Sequence, residues 1–102
     1  MVINDLAELR VIRTDGREET HQVGRRIALD WCRRMIDAVY LDVVDLHDGR
    51  IMLVDDSGLI DNKPINKVAT AMYWGVCWPG TTNPICGDVV IANDKDFGDE
   101  DA

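Results

Sequence analysis

Three short turn signals punctuate this chain and limit what it can fold into. Asp15-Gly16, Asp48-Gly49 and Asp55-Asp56-Ser57-Gly58 each follow a β-capable run. Asp-Gly beside alternating residues is a strong hairpin signal, because glycine accepts the positive φ that a tight reversal needs. Strands joined so closely run antiparallel, since a parallel pair needs a crossover of about a dozen residues or more.

The stretches between the turns supply the elements. Leu9-Arg10-Val11-Ile12-Arg13 predicts a hairpin of Ala7–Thr14 with Arg17–Val23. Its return strand is mostly polar, as an edge or solvent-facing strand is. From Gly24 to Ile36 the period changes: Ile27, Ala28, Trp31, Cys32, Met35 and Ile36 recur at helical spacing, with Arg26, Asp30, Arg33 and Arg34 on the other face. Val39–Leu46 reads as a strand, and Ile51-Met52-Leu53-Val54 as a central buried one, with Leu59-Ile60 as a brief extension. Asn62 or Asn66 caps a second helix with Pro64 at its entry; Val68, Ala69, Met72 and Tyr73 share a face, and Gly75 ends it. Gly87–Ala92 is the last strand. The order β-β-α-β-β-α-β predicts a single α+β domain over residues 1–93, an antiparallel sheet of about five strands with two helices packed over one face. Residues 94–102 are expected as an acidic, disordered tail.

Charge narrows the function classes. Asp and Glu total 19 against 11 Lys and Arg, a formal net charge of −8. A nucleic-acid binder clusters Lys and Arg against phosphates. Here the only basic pairs are Arg25-Arg26 and Arg33-Arg34, which argues against direct nucleic-acid binding and against docking on anionic lipid. Half of the charge lies in the tail: Asp94, Asp96, Asp99, Glu100 and Asp101 against Lys95 give −4. These acids either solvate the tail or contact a basic partner. No run approaches the roughly 18 apolar residues of a membrane span, and the acidic start is unlike a signal peptide, so the expected location is the cytoplasm.

Catalytic signatures are absent from the sequence. No H-E-x-x-H, G-x-S-x-G, phosphate loop or G-x-G-x-x-G occurs. His21 and His47 fall in the hairpin regions as surface residues. Asp55, Asp56 and Asp61 lack the ligand alternation of a calcium loop and read as turn formers. No metal or cofactor is expected. Cys32 reads as a small core residue; Cys77 and Cys86 flank a Gly/Pro-rich loop, where a disulfide is conceivable but disfavoured in a reducing compartment. The stretch Met72–Pro84 stands out because Tyr73, Trp74 and Trp78 are interleaved with Gly75, Pro79, Gly80 and Pro84. Either the tryptophans plug the open edge of a small core, or they serve as interface anchors, a role that favours Trp and Tyr.

The second half of the chain resembles a small family catalogued as domain of unknown function 3846, whose members occur mainly in bacteriophages and mobile elements. The resemblance rests on Asp48-Gly49 and Ile51–Leu59, on Lys63-Pro64-Ile65-Asn66 with Ala69-Thr70-Ala71, and on Ile85-Cys86-Gly87-Asp88-Val89-Val90-Ile91. These give a D-x-x-G turn, a P-x-N-x-x-A helix entry and an I-x-G-D-x-x-I strand. The match runs from Tyr40 to Asn93, and the chain departs from it in carrying Trp74, Cys77 and Trp78 in the variable loop. It implies a phage or mobile-element origin, in the host cytoplasm, and no known activity. The leading expectation is a small non-enzymatic accessory protein that binds a host protein as inhibitor or adaptor, possibly in counter-defence, through Tyr73, Trp74, Trp78 and the acidic tail. One alternative is a nucleotide or metabolite binder whose aromatic loop closes over Asn66 and Arg50. Another is an acidic mimic of DNA. Apolar strands at a free sheet edge leave a homodimer open as well.

Overall fold

A computed structural model describes residues 5–76 and 83–97. Five strands, β1 (Leu6–Ile12), β2 (Glu18–Gly24), β3 (Leu41–Asp45), β4 (Arg50–Asp55) and β5 (Val89–Asn93), form one sheet. Two helices, α1 (Arg25–Met35) and α2 (Lys67–Val76), fall between them in the expected order. The spatial order is β2-β1-β5-β4-β3, and every pairing is antiparallel. The last strand therefore inserts at the centre and leaves β2 and β3 at the edges.

Both hairpins turn on the glycines singled out in the sequence, but with three-residue loops rather than two. Gly16 at φ +92° and Gly49 at φ +86° take the left-handed position that closes each reversal. In the first, the Gly16 N–H donates to the Arg13 carbonyl and the Arg13 N–H to the Arg17 carbonyl, both at 2.9 Å, a type I turn followed by a glycine bulge.

The helices lie on opposite faces, not on one. Alternation along the central strands explains this. Leu53 of β4 and Val90 of β5 point into a core with Leu9, Val11, Ala28 and Cys32, under α1. Met52, Val54, Val89 and Ile91 point the other way, into a second core with Ala69, Met72 and Tyr73 of α2. Strands covered on both faces read as continuous apolar runs, which is how Ile51–Val54 and Val89–Ala92 read. Burial pushes the Cys32 thiol up to about 12, so it behaves as an inert core group.

Several boundaries move. Ile27 is exposed, off the buried stripe of α1. That helix ends in a Schellman motif, with Asp37 left-handed at φ +55° and the Ala38 N–H bonded to the Arg33 carbonyl at 2.9 Å. Leu59 and Ile60 sit in turns, outside the sheet. Gly75 does not end α2, which continues to Val76. The described fold continues past residue 93 into the expected tail. Asp94–Asp96 form a 3₁₀ turn, Phe97 packs on the α1-side core, and Asp96, with a side chain only 4 % exposed, pairs with Arg25 at 2.9 Å.

Candidate functional site

The motif residues of the second half converge on one structural knot. Asn66 caps α2 by accepting the Ala69 N–H at 3.0 Å, while its amide donates to the carbonyls of Ile12 at 2.9 Å and Gly87 at 3.1 Å. Lys63 pairs with the buried carboxylate of Asp55 and donates to the carbonyls of Ile36 and Asp37 beyond α1. Burial pushes the Asp55 carboxyl up, but Lys63 and the Ser57 N–H outweigh it and hold it below the usual range. Gly58 packs so closely on Cys86 that a Cβ would stand 2.5 Å from its carbonyl oxygen. Asp88 binds the Thr14 N–H and the Arg13 guanidinium, both at 2.9 Å, and Arg13 also grips Glu19. That guanidinium, helped by His21, holds the Glu19 carboxyl down at about 2.

These contacts bear on two residues of the expected contact set. Asn66 is fully buried and uses its carbonyl and both amide hydrogens within the fold, so it is not presented to a ligand. Arg50 pairs with Asp48 at 2.8 Å and lines a shallow recess with Glu8, Arg10 and Asn93. Neither it nor Asn66 lines the groove beside Trp74, and residues 77–82 of the aromatic loop expected to close over them lie outside the described residues. Trp74 and Tyr73 belong to α2 itself. Trp74 is half exposed, donates its indole N–H to the Asn83 carbonyl at 3.1 Å and lines an apolar groove with Ile65, Ala71 and Pro84. Tyr73 packs on the second core. Trp78, Cys77 and the tail acids Asp99, Glu100 and Asp101 lie outside the described residues. Cys86 is a free buried thiol. Of the described tail acids, Asp96 is committed to Arg25 and Asp94 is exposed, its N–H held by the Gly49 carbonyl. His47 is an exposed turn residue, whereas His21 is half-buried, its ring 5.0 Å from that of Trp31.

The surface that stands out is one the sequence did not single out: the two flanks of edge strand β3. On the α1 side, Leu29, Val39, Tyr40, Leu41 and Val43, with the mutually paired Asp30 and Arg33, line a mainly apolar open groove of about 400 Å³. Four of these are large apolar residues in solvent: Tyr40 is 71 % exposed, Val39 68 %, Leu29 55 % and Val43 53 %. A cluster of this kind is unlike the scattered single apolar residues of an ordinary surface. On the α2 side, Asp42, Asp55, Asp56, Leu59 and Tyr73 border a second recess of about 460 Å³. Asp42 and Asp56 meet no Lys or Arg among the described residues. The same strand thus carries an apolar flank and an acidic flank.

Among the described residues there is no group of three or more potential metal ligands, and no helix is long and apolar enough to cross a membrane. Comparison with family models, with curated proteins and with solved structures returns no match.

Proposed function

We propose that this protein is a non-catalytic binding module that holds a partner protein against the apolar flank of β3. In the phage or mobile-element setting that the family resemblance implies, the partner is a host protein that is inhibited or tethered. The observation that carries this reading is the cluster of Leu29, Val39, Tyr40 and Val43 in solvent around one groove. Apolar area on this scale stabilises an interface when a partner covers it. Tyr40 adds a large, rigid, amphipathic anchor of the kind that dominates interface energetics. Tyr40 takes the anchor role in this reading, because Tyr73 is packed on a core and Trp74 is tied to Asn83, while Trp78 lies outside the described residues. A ligand-binding role centred on Asn66 and Arg50 loses support, since Asn66 is buried with its polar atoms paired and the two line different recesses.

Site-specific photo-crosslinking tests the reading. p-Benzoylphenylalanine placed at Tyr40 should give a discrete adduct with a host protein in bacterial cells. The same group at Asp61, exposed in the turns after β4, should not. No adduct from position 40, or the same adducts from both positions, would overturn it.

A further inference from the structure

We propose that the partner docks by adding a strand to β3, and that the added segment alternates apolar side chains with Lys or Arg. This rests on the protein-binding reading above and specifies its geometry and chemistry. The hydrogen-bond pattern shows which backbone groups are available. The Asp56 N–H donates to the Tyr40 carbonyl at 3.1 Å and the Leu46 N–H to the Arg50 carbonyl at 3.0 Å. Backbone groups alternate sides along an antiparallel strand. Tyr40, Asp42, Val44 and Leu46 therefore face β4, and the N–H and C=O groups of Leu41, Val43 and Asp45 face outward. The Val43 N–H fits this assignment: it donates to the carboxylate of Asp42 at 2.9 Å instead of to β4, a local bond that a carbonyl of the added strand would replace. Among the described residues no strand pairs with this side.

A strand laid along that edge reads both flanks at once. Directly paired residues share a face, as Val43 and Leu53 do within the sheet. Side chains opposite Leu41 and Val43 would enter the apolar groove beside Leu29 and Tyr40. The alternate ones would enter the recess beside Asp42 and Asp56. Apolar side chains suit the first and cations the second, which fixes the occupant's pattern. A second copy of this chain fits poorly. Its own β3 would gather Asp42 and Asp45 of both strands along one seam, between chains that each carry a net charge of −8. The opposite edge, β2, offers Glu18, Thr20 and Gln22 on one flank and lacks the apolar groove.

The test uses a blocked nine-residue peptide alternating lysine and valine, with its valine–glutamate counterpart, titrated by NMR into the full chain. The lysine peptide should perturb the amides of Leu41, Val43 and Asp45 and bind at least about tenfold tighter than the glutamate peptide. Val43→Pro removes one outward N–H without removing a bond to β4, a position where a strand tolerates proline. It should keep the fold and weaken the lysine peptide by about tenfold or more. Val39→Ser with Tyr40→Ser separates the two proposals. If that pair abolishes capture of the host protein while Val43→Pro leaves capture and peptide binding unchanged, the apolar flank is the docking site but strand addition is wrong. Equal binding of the two peptides, or a homodimer in sedimentation that Val43→Pro dissolves, would also overturn the proposed occupant.

Discussion

Replacing Asn66 by alanine should be among the most damaging single changes outside the apolar cores. The side chain is fully buried and makes three hydrogen bonds to three separate segments: the first turn of α2, the end of β1 and the loop before β5. Losing the cap costs about 1 kcal/mol. Each of the two buried carbonyls that loses its donor adds about 1 kcal/mol. The sum, about 3 kcal/mol, is a large part of the stability of a domain this size. It corresponds to a fall in Tm of roughly 12–24 °C. Urea unfolding followed by circular dichroism checks it, with the midpoint falling by about 1–3 M at constant slope. Asn66→Asp sharpens the test. It keeps the capping oxygen but points a second carboxylate oxygen at the carbonyls of Ile12 and Gly87. That carboxyl is favoured in its protonated form in the fold, so its folded pKa rises above the unfolded value. The penalty is then small below about pH 4 and grows as pH rises. A loss under about 1 kcal/mol for the alanine variant, or an aspartate variant whose deficit does not grow with pH, would refute the role of Asn66 as a strut.

Much of the fold was legible in local chemistry. Asp15-Gly16 and Asp48-Gly49 announce hairpins because the reversal needs a left-handed residue at one point, and the same glycine serves a two-residue or a three-residue loop. The placement of helices on both faces was missed, since both were expected over one face, although the unbroken apolar runs Ile51–Val54 and Val89–Ala92 carry its signal. A sheet with one solvated face would alternate at those positions.

The docking flank was not legible, for a topological reason. Whether Leu41 and Val43 belong to a central or an edge strand depends on where β5 inserts. That is settled by pairings such as Val11 with Val90 and Leu53 with Val90, far apart in sequence. No local pattern encodes them. Val39 and Tyr40 look like core candidates in a sequence, because an apolar residue carries no mark of exposure. The short motifs proved legible as positions but not as roles. Asp55–Gly58, Lys63–Asn66 and Ile85–Asp88 meet in space as a brace between loops. Gly58 among their turn residues is needed for close backbone approach to Cys86.

Two further predictions follow from that brace. Glu19 is held low by Arg13 and then His21, so its folded pKa lies below the unfolded one. Its contribution is therefore present above about pH 4.5 and is lost as pH falls toward 2; Glu19→Gln should flatten the acid limb of a stability–pH curve over that window, and an unchanged limb would show the pair to be inert. Gly58→Ala should destabilise strongly, although alanine is normally a mild replacement in a loop. Its Cβ would stand 2.5 Å from the Cys86 carbonyl oxygen and 3.3 Å from the carbonyl carbon, backbone atoms that no rotamer change can move aside. The same strand of loop is held by the Ile65–Cys86 bridge and by the Gly87 N–H on the Pro64 carbonyl at 2.8 Å, so relief means separating segments that these bonds join. A loss of about 2 kcal/mol or more in urea unfolding is expected. Amide exchange should localise it: protection should fall around Asn66 and Gly87 before it falls in the β1–β2 hairpin. A variant as stable as the parent, or one that loosens the hairpin first, would show that the close contact at Gly58 does not hold the brace together.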